Sequence, residues 1–240
     1  RSARSLCDFL VVSIFVNPSQ FAPHEDFDSY PRDFQRDLDL TEKEGVDVVF
    51  APHRKELYPE GFQTYINLEK LPGKLCGLSR PIFFQGVATV VAKLFHIVKP
   101  HSAVFGKKDY QQLLVVRRMV KDMNMDIQIV GEETVRENDG LAMSSRNAYL
   151  TGKQRPSALS LFGALQKARE MVETGETDVM KIVAEAERFI SSFPETDIDY
   201  VAICDPETLE DMGEIDRPAL MALAVKGGST RLIDNSILQP

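Results

Sequence analysis

The sequence has no excess of positive charge. Its 240 residues include 28 Lys and Arg against 36 Asp and Glu, which gives a formal net charge of -8. Proteins that bind nucleic acids or anionic membrane surfaces in general present a basic face, so this balance argues against both functions. No apolar run approaches the roughly 20 residues that a membrane span requires. The composition instead predicts a soluble globular protein with one large domain or two modest ones.

Cysteine and histidine are also sparse. Cys7, Cys76 and Cys204 are odd in number and far apart. This pattern predicts reduced thiols in a cytoplasmic protein, and it argues against a disulfide framework or a zinc site. None of the four histidines stands at the spacing of a metal-binding pair. We therefore predict no metal held by the protein itself.

Two segments concentrate positive charge beside glycine. Phe105-Gly-Lys-Lys-Asp-Tyr-Gln-Gln112 follows an apolar run, and Asp139-Gly-Leu-Ala-Met-Ser-Ser-Arg-Asn147 contains two hydroxyls and a guanidinium. Backbone N–H groups with little steric bulk around them, together with fixed positive charge, are what a triphosphate requires. The two segments therefore predict an enzyme that uses a nucleotide.

The first 150 residues alternate strands and helices. Predicted strands are 8–16, 46–50, 103–105 and 126–130; predicted helices are 29–44, 86–98 and 110–123. Gly45 closes the first helix, and the second is predicted from apolar residues spaced by three and four, which are Val87, Val90, Val91, Leu94 and Phe95. Residues 53–85 read as irregular. Strands separated by helices predict a parallel sheet with helices on both faces.

The pattern changes near residue 150. Thr151–Gln154 can cap a helix to about Thr174, and Asp178 begins another to about Ser192. Three strands are predicted after them, at 198–204, 219–225 and 231–237, with a turn at Gly227-Gly228. We expect an α/β domain over residues 1–148 and a smaller α+β domain over residues 149–240.

Polar residues follow several predicted strands. Gln20, Gly106 and Ser144 lie in or near such loops, and open parallel sheets bind ligands at the carboxyl ends of their strands. Lys108 is suited to a phosphate and Asp109 to ribose hydroxyls. An ordinary polar loop remains an alternative, because the segment is neither a Walker A nor a GxGxxG pattern.

Other candidates also have plain alternatives. Ser144-Ser145-Arg146 is typical of a loop that binds phosphates in a transition state, or of a turn with a capping serine. Gln20 and Gln112 are neutral amides that can hold a hydroxy acid without adding charge, but a lone glutamine is most often a surface residue.

Seven segments together resemble the pantothenate synthetase (pantoate–β-alanine ligase) family, in the family's order and over nearly the whole chain. They are Val12-Ser-Ile-Phe-Val-Asn-Pro-Ser-Gln-Phe21, Tyr30-Pro-Arg32, Phe50-Ala-Pro52, Gly86-Val-Ala-Thr-Val-Val91, Phe105–Gln112, Asp139–Asn147 and Thr230-Arg-Leu-Ile-Asp-Asn235.

The resemblance implies a Rossmann-like nucleotidyltransferase domain with a smaller C-terminal lid domain. It implies that pantoate attacks the α-phosphorus of ATP to give pantoyl adenylate and pyrophosphate, and that β-alanine then displaces AMP to give pantothenate. A cytoplasmic homodimer is also implied, with Mg²⁺ held mainly by the nucleotide phosphates.

The resemblance also implies the site residues. Gln20 and Gln112 are similar to the amides that hold pantoate. The positions implied to bind ATP are Gly106, Lys107, Lys108, Asp109, Val135, Met143, Ser144, Ser145 and Arg146. Val135 corresponds to a position whose backbone meets adenine, and Met143–Arg146 is similar to the KMSKS loop of class I synthetases. Lys108, Ser144, Ser145 and Arg146 are the implied catalytic residues.

Two departures from the family pattern stand out. The family has an upstream segment with a Pro-Thr-Met-Gly turn and a His-x-Gly-His motif, which does not occur in these 240 residues; we expect that further residues precede Arg1. The usual Ser-Arg-Pro-Gly-His-Phe-x-Gly reads Ser79-Arg-Pro-Ile-Phe-Phe-Gln-Gly86 here, so that Ile82 and Phe83 replace Gly and His. No role is assigned from that motif.

Two other functions stay open from these residues. One is a different nucleotidyltransferase of the same superfamily that forms a dinucleotide, although Gln20 and Gln112 favour a small hydroxy acid. The other is a catalytically inactive nucleotide-binding module, which the two departures motivate.

Overall fold

A computed structural model describes residues 1–21, 26–228 and 230–240, so that His24 lies outside the described residues. The chain forms two compact units that alternate along the sequence. The first unit comprises Arg1–Pro72, Arg80–Phe105 and Gln112–Glu132, and the second comprises Gly73–Ser79, Gly106–Gln111 and Glu133–Pro240. The domain boundary expected after residue 148 stays a prediction.

Short strands and helices alternate up to residue 132, as predicted. Strand β1 (Val11–Ser13) pairs in parallel with β2 (Val48–Phe50). Strand β3 (Ser102–Gly106) pairs with β4 (Gln128–Glu132). Helices described in this part of the chain are α1 (Phe34–Lys43), α2 (Arg54–Leu57), α3 (Cys76–Ser79), α4 (Phe83–Val98) and α5 (Tyr110–Asp122). The α/β class is confirmed.

Helix α1 begins five residues later than its predicted start at Ser29. Pro31 disfavours helical backbone at the residue before it, so the chain stays non-helical through this dipeptide. Asp33 then caps the helix, because its carboxylate accepts a hydrogen bond of 3.1 Å from the backbone N–H of Arg36. Gly45 follows the helix with φ +71°, as the predicted stop requires.

Helix α4 is the buried helix of the first unit. Of the five apolar residues whose spacing predicted this helix, Val87, Val90, Val91 and Phe95 are at most 8% exposed, and Leu94 is partly buried. Burying one such side chain stabilises the fold by roughly 1.5–3 kcal/mol. The helix therefore gives a rigid support to segments that pack against it.

The second unit contains an antiparallel sheet, as the α+β prediction expected. Its order is β5 (Thr196–Cys204), β6 (Ala219–Gly227) and β7 (Thr230–Leu238). Helices α6 (Arg155–Glu173) and α7 (Val179–Ser191) precede the sheet. Asp178 caps α7, since its side chain accepts from the N–H of Met180 at 2.9 Å.

The core of the second unit joins α6 and α7 to this sheet. Residues buried to 2% exposure or less in it include Leu161, Leu165, Ile182, Ile190, Met221 and Leu223. Strand β6 is almost continuously apolar and buried, which suits a central strand. Within the described residues, no helix combines the length and the apolar character that crossing a membrane requires.

Candidate functional site

The turn that carries Gln20 is fixed by a buried asparagine and a glycine. Asn17 is 4% exposed, and its Oδ1 accepts from Ser19 Oγ at 2.8 Å while its Nδ2 donates to the carbonyl of Gly86 at 3.1 Å. A Cβ on Gly86 would lie 2.6 Å from the carbonyl oxygen of Ser19. Only glycine therefore permits this close approach between α4 and the 3₁₀ turn Pro18–Gln20.

Arg80 holds the same turn from a distant part of the sequence. Its Nη2 donates to the backbone carbonyl of Gln20 at 2.7 Å. Its guanidinium carbon lies 4.0 Å from the centroid of the Phe83 ring, a cation–π distance. Phe83 is one of the two residues that depart from the family pattern, and the other, Ile82, is 58% exposed. The altered motif therefore supplies a stacking surface for Arg80.

Two other residues of the first unit complete this description. Gln112 lies in the first turn of α5 and is partly buried. The hydroxyls of Tyr58 and Ser19 are 3.4 Å apart, and burial raises the pKa of Tyr58 above its usual value. Tyr58 stays a neutral hydrogen-bonding group over the whole physiological pH range.

The Gly106–Asp109 segment begins where β3 ends, as predicted. A Cβ on Gly106 would have no neighbour within 4 Å, so the backbone there is open to a ligand. The 3₁₀ turn Lys107–Asp109 follows. The Lys107 ammonium is paired with the Glu133 carboxylate, and Lys108 Nζ lies 3.8 Å from Asp109 Oδ1.

Val135 and Met143 are neighbours because residues 135–143 form a hairpin. The N–H of Met143 donates to the carbonyl of Val135 at 2.9 Å, and the N–H of Glu137 donates to the carbonyl of Leu141 at 2.8 Å. Both Val135 and Met143 are more than half exposed. The predicted adenine contact and the start of the predicted phosphate loop are therefore side by side.

The predicted phosphate loop continues from this hairpin as a capped turn. Ser144 Oγ accepts from the N–H of Arg146 at 3.3 Å, at the start of the 3₁₀ segment Ser145–Tyr149. Asn147 Nδ2 donates to Glu137 Oε1 at 2.6 Å and to the carbonyl of Ala142 at 3.1 Å. The loop after Met143 is thus tied back to the hairpin.

Arg155, the first residue of α6, anchors the hairpin by charge. Its Nη2 lies 2.6 Å from Glu137 Oε2 and 2.7 Å from Asp139 Oδ2. These bonds hold the pKa of both carboxylates below their usual values, and Asn147 adds to the effect on Glu137. The hairpin is therefore most firmly held when both carboxylates are ionised.

Strand β7 anchors the hairpin by a second ion pair. Asp234, whose side chain is 2% exposed, receives hydrogen bonds from Arg136 Nη1 at 2.6 Å and Nη2 at 2.9 Å. Arg136 also donates to the carbonyl of Gly140 at 3.0 Å and stacks on the Phe162 ring at 4.5 Å. A bidentate pair of this kind fixes orientation as well as distance.

The residues predicted to bind pantoate and those predicted to bind ATP lie in different units. Gln20 and Gln112 lie in the first unit, and every residue expected to bind ATP lies in the second. Their contacts with substrates stay predictions. Sequence reasoning missed Arg80, Asp234 and Asn235 as supporting residues. All three lie in motifs that carried or departed from the family resemblance, which was the available signal.

Comparison with known proteins gives a consistent result. The family model described as pantoate-beta-alanine ligase matches residues 1–237. A pantothenate synthetase from Desulfatibacillum aliphaticivorans is 57% identical over 240 residues, which cover 100% of this chain and 85% of that protein. A crystal structure of pantothenate synthetase from Thermus thermophilus is similar with a TM-score of 0.97 and 47% identity, over 100% of this chain and 87% of that one.

A second solved structure is informative through its ligands. Pantoate-beta-alanine ligase from Francisella tularensis, crystallised with beta-gamma ATP and beta-alanine, has a TM-score of 0.80 and 31% identity. The match covers 98% of this chain and 82% of that one.

Proposed function

This chain belongs to the pantoate–β-alanine ligase family and is an ATP-dependent ligase of pantoate and β-alanine; from that premise we propose which of its residues act. In the second unit, ATP is bound by Gly106–Asp109, Val135 and Met143–Arg146. In the first unit, Gln20 and Gln112 hold pantoate. The observation that supports this division most directly is that the Lys107–Asp109 turn and the 135–146 segment both belong to one compact unit.

In the first step, a pantoate carboxylate oxygen attacks the α-phosphorus and the bond to pyrophosphate breaks. Both reactants are anionic, so their repulsion must be cancelled. Lys108 and Arg146 supply fixed positive charge, while Ser144 and Ser145 donate hydrogen bonds to phosphate oxygens. Pantoate is already ionised at neutral pH, so the step needs no general base.

ATP recognition is assigned to the remaining polar and backbone groups of the second unit. Asp109 accepts from the ribose hydroxyls, and the open backbone at Gly106 admits the nucleotide. The backbone of Val135 meets adenine, with Met143 beside it. Lys107, which is paired with Glu133, contributes charge at the edge of the turn.

In the second step, the β-alanine amine attacks the acyl carbon and AMP leaves. The amine must lose a proton, and we assign no protein base to that transfer. Holding both reactants in a reactive geometry supplies most of the acceleration, since effective molarities of well-oriented groups are on the order of 10⁵ M or more.

Mg²⁺ is proposed to enter with the nucleotide. In the described ranges, no three His, Cys, Asp or Glu side chains stand together as metal ligands. Mg²⁺ in nucleotide sites is commonly held by phosphates, water and one or two carboxylates, and there it would neutralise phosphate charge. The residues present fit a metal held mainly by ATP.

Three further proposals concern the oligomeric state, the cellular compartment and the domains. We propose that the protein acts as a homodimer in the cytoplasm, and that residues 1–148 form a nucleotide domain and residues 149–240 a smaller lid domain. These proposals rest on the family and not on a contact described above. The relatives named above match 98% or more of this chain and are pantothenate synthetases or pantoate-beta-alanine ligases, and they favour neither a dinucleotide-forming enzyme nor an inactive module.

The experiment that tests the function is pantoate-dependent exchange of labelled pyrophosphate into ATP without β-alanine. We expect exchange that requires pantoate and Mg²⁺. Exchange without pantoate, or with pantoate replaced by a mononucleotide as the acceptor, would contradict the assignment. Addition of β-alanine should then convert the bound intermediate to pantothenate and AMP.

A further inference from the structure

The last family motif, Thr230–Asn235, has no role in the function proposed above. It lies at the start of β7, and Asn235 is its final residue. Asn235 Nδ2 donates to the backbone carbonyl of Lys107 at 3.0 Å and to that of Lys108 at 2.8 Å. One side-chain amide thus binds two consecutive carbonyls of the turn, across 128 and 127 positions of the sequence.

The chemistry of this contact is specific to an amide donor. Two carbonyl oxygens are acceptors only, and an –NH₂ group offers two donors from one atom. An aspartate at this position would have nearly the same shape but would present acceptors to acceptors. A partly buried mismatch of that kind is costly, because each unsatisfied group loses its hydration without a replacement bond.

Asn235 is itself held firmly. It pairs with Ala222 in the ladder between β6 and β7, and the neighbouring Asp234 is fixed by its ion pair with Arg136. The amide is therefore a rigid support for the turn and not a mobile surface group. The same strand also anchors the 135–143 hairpin through Asp234, so the two predicted ATP segments share one support.

We propose that Asn235 is a positioning residue for ATP: it holds the Lys107–Lys108 backbone so that the turn presents its charge and N–H groups to the phosphates. The inference rests on the assignment of that turn to ATP in the function proposed above. Asn235 does not touch the substrate. A displacement of about 1 Å in such a group costs on the order of a hundredfold in rate.

The test compares Asn235→Asp with Ser236→Ala in the full chain. Ser236 is adjacent on β7 and bonds only Arg169 and its own neighbour's carbonyl among the contacts described, so its loss should be silent. We expect Asn235→Asp to lower kcat/KM for ATP at least about tenfold in pyrophosphate exchange, with KM for pantoate changed less than about twofold. Asn235→Ala, which removes the donors without adding repulsion, should lie between the two.

Two further readouts separate positioning from folding. Thermal unfolding midpoints identify a variant that merely fails to fold, and Asn235→Ala then carries the comparison. In a Lys108→Ala background, Asn235→Asp should have a smaller additional effect, because both changes act on one element. ATP kinetics that match Ser236→Ala, or equal changes in the KM values of ATP and pantoate, would overturn the proposal.

These experiments also distinguish a wrong role for Lys108 from a wrong role for Asn235. If Lys108→Ala exchanges pyrophosphate at the wild-type rate, the role proposed for Lys108 is wrong. An ATP-specific loss in Asn235→Asp would then still support positioning of the turn through its backbone N–H groups. Unchanged ATP kinetics in Asn235→Asp would overturn the positioning role independently.

Discussion

Two short 3₁₀ turns carry proposed substrate residues, and they are held in different ways. The turn Pro18–Gln20 is fixed by the cap from Asn17 and by backbone contact with Gly86 at a distance that excludes a side chain. The turn Lys107–Asp109 has open space at Gly106 and is held by the side-chain amide of Asn235.

The difference concerns what each turn tolerates. A turn packed directly against a buried helix resists added volume, because neither backbone can move without disturbing the core. A turn held by one amide is sensitive instead to the direction of hydrogen bonds. We therefore expect added volume at Gly86 to disturb pantoate, and a reversal of hydrogen-bond direction at Asn235 to disturb ATP.

The largest expected effects distinguish a residue proposed to act on ATP from one proposed to bind pantoate. Lys108→Ala should lower the rate of pyrophosphate exchange by about a hundredfold or more, because it removes the charge that we propose to stabilise the transition state. Gln112→Ala should mainly raise KM for pantoate. Steady-state kinetics with each substrate varied separately would measure both. A Gln112→Ala effect confined to ATP would contradict the division between the units.

Gly86→Ala tests the steric support of the Gln20 turn. The added Cβ would meet the carbonyl oxygen of Ser19 at 2.6 Å, so helix and turn must separate. We expect a loss of about 1–3 kcal/mol in unfolding free energy and a raised KM for pantoate. Gly152→Ala is the matched control, since its Cβ would have no neighbour within 4 Å. Equal denaturation midpoints for the two variants would refute the steric argument.

Arg80→Ala tests the polar support of the same turn. It removes the 2.7 Å bond to the Gln20 carbonyl and the stacking on Phe83. A charge-assisted bond of this kind is worth roughly 1.5–3 kcal/mol, so KM for pantoate should rise about tenfold while KM for ATP is unchanged. The control is Arg188→Ala, which breaks an exposed ion pair with Glu185 on α7. A change in ATP kinetics alone would be evidence against this role.

The smallest expected effect concerns pH. The ordinary pKa values of Glu137 and Asp139 are 4.5 and 3.8, and Arg155 lowers both in the folded protein. A lowered folded pKa gives stability that is present above the ordinary value and is lost as pH falls through the folded value. Below about pH 4.5 the melting temperature of the wild type should therefore fall more steeply than that of Arg155→Gln.

At neutral pH the difference between these two proteins should be only about 2 °C, because the carboxylates are partly solvated. Thermal scans from acidic to neutral pH would measure both slopes. Parallel curves for the two proteins would show that Arg155 does not set the pKa of these carboxylates.

The periodic parts of the fold could be predicted from the sequence. The apolar spacing of Val87, Val90 and Val91 identified α4, and Asp178 correctly marked the cap of α7. The strand predicted over residues 8–16 is shorter in the structure, Val11–Ser13, because pairing with β2 and not hydrophobicity sets its ends. The short helices α2 and α3 lie in a segment predicted as irregular, since four residues carry no measurable period.

The supporting residues could not be predicted in the same way. Arg80 contacts Gln20 across 60 positions, and Asn235 contacts Lys108 across 127. Such pairs depend on tertiary packing and leave no spacing pattern in one sequence. The motifs did indicate where to look, but an arginine or asparagine in a motif does not reveal whether it meets a substrate or a backbone carbonyl.

The register of β7 has a consequence for how this chain tolerates insertions. Successive residues of a strand point to opposite faces, so Asp234 and Asn235 serve different segments only in one alignment with β6. A slip of one position would exchange the two side chains and release together both segments that we propose to bind ATP. An insertion or deletion between Gly227 and Thr230 that shifts this register should therefore impair activity, although the connection itself has no part in the mechanism proposed above.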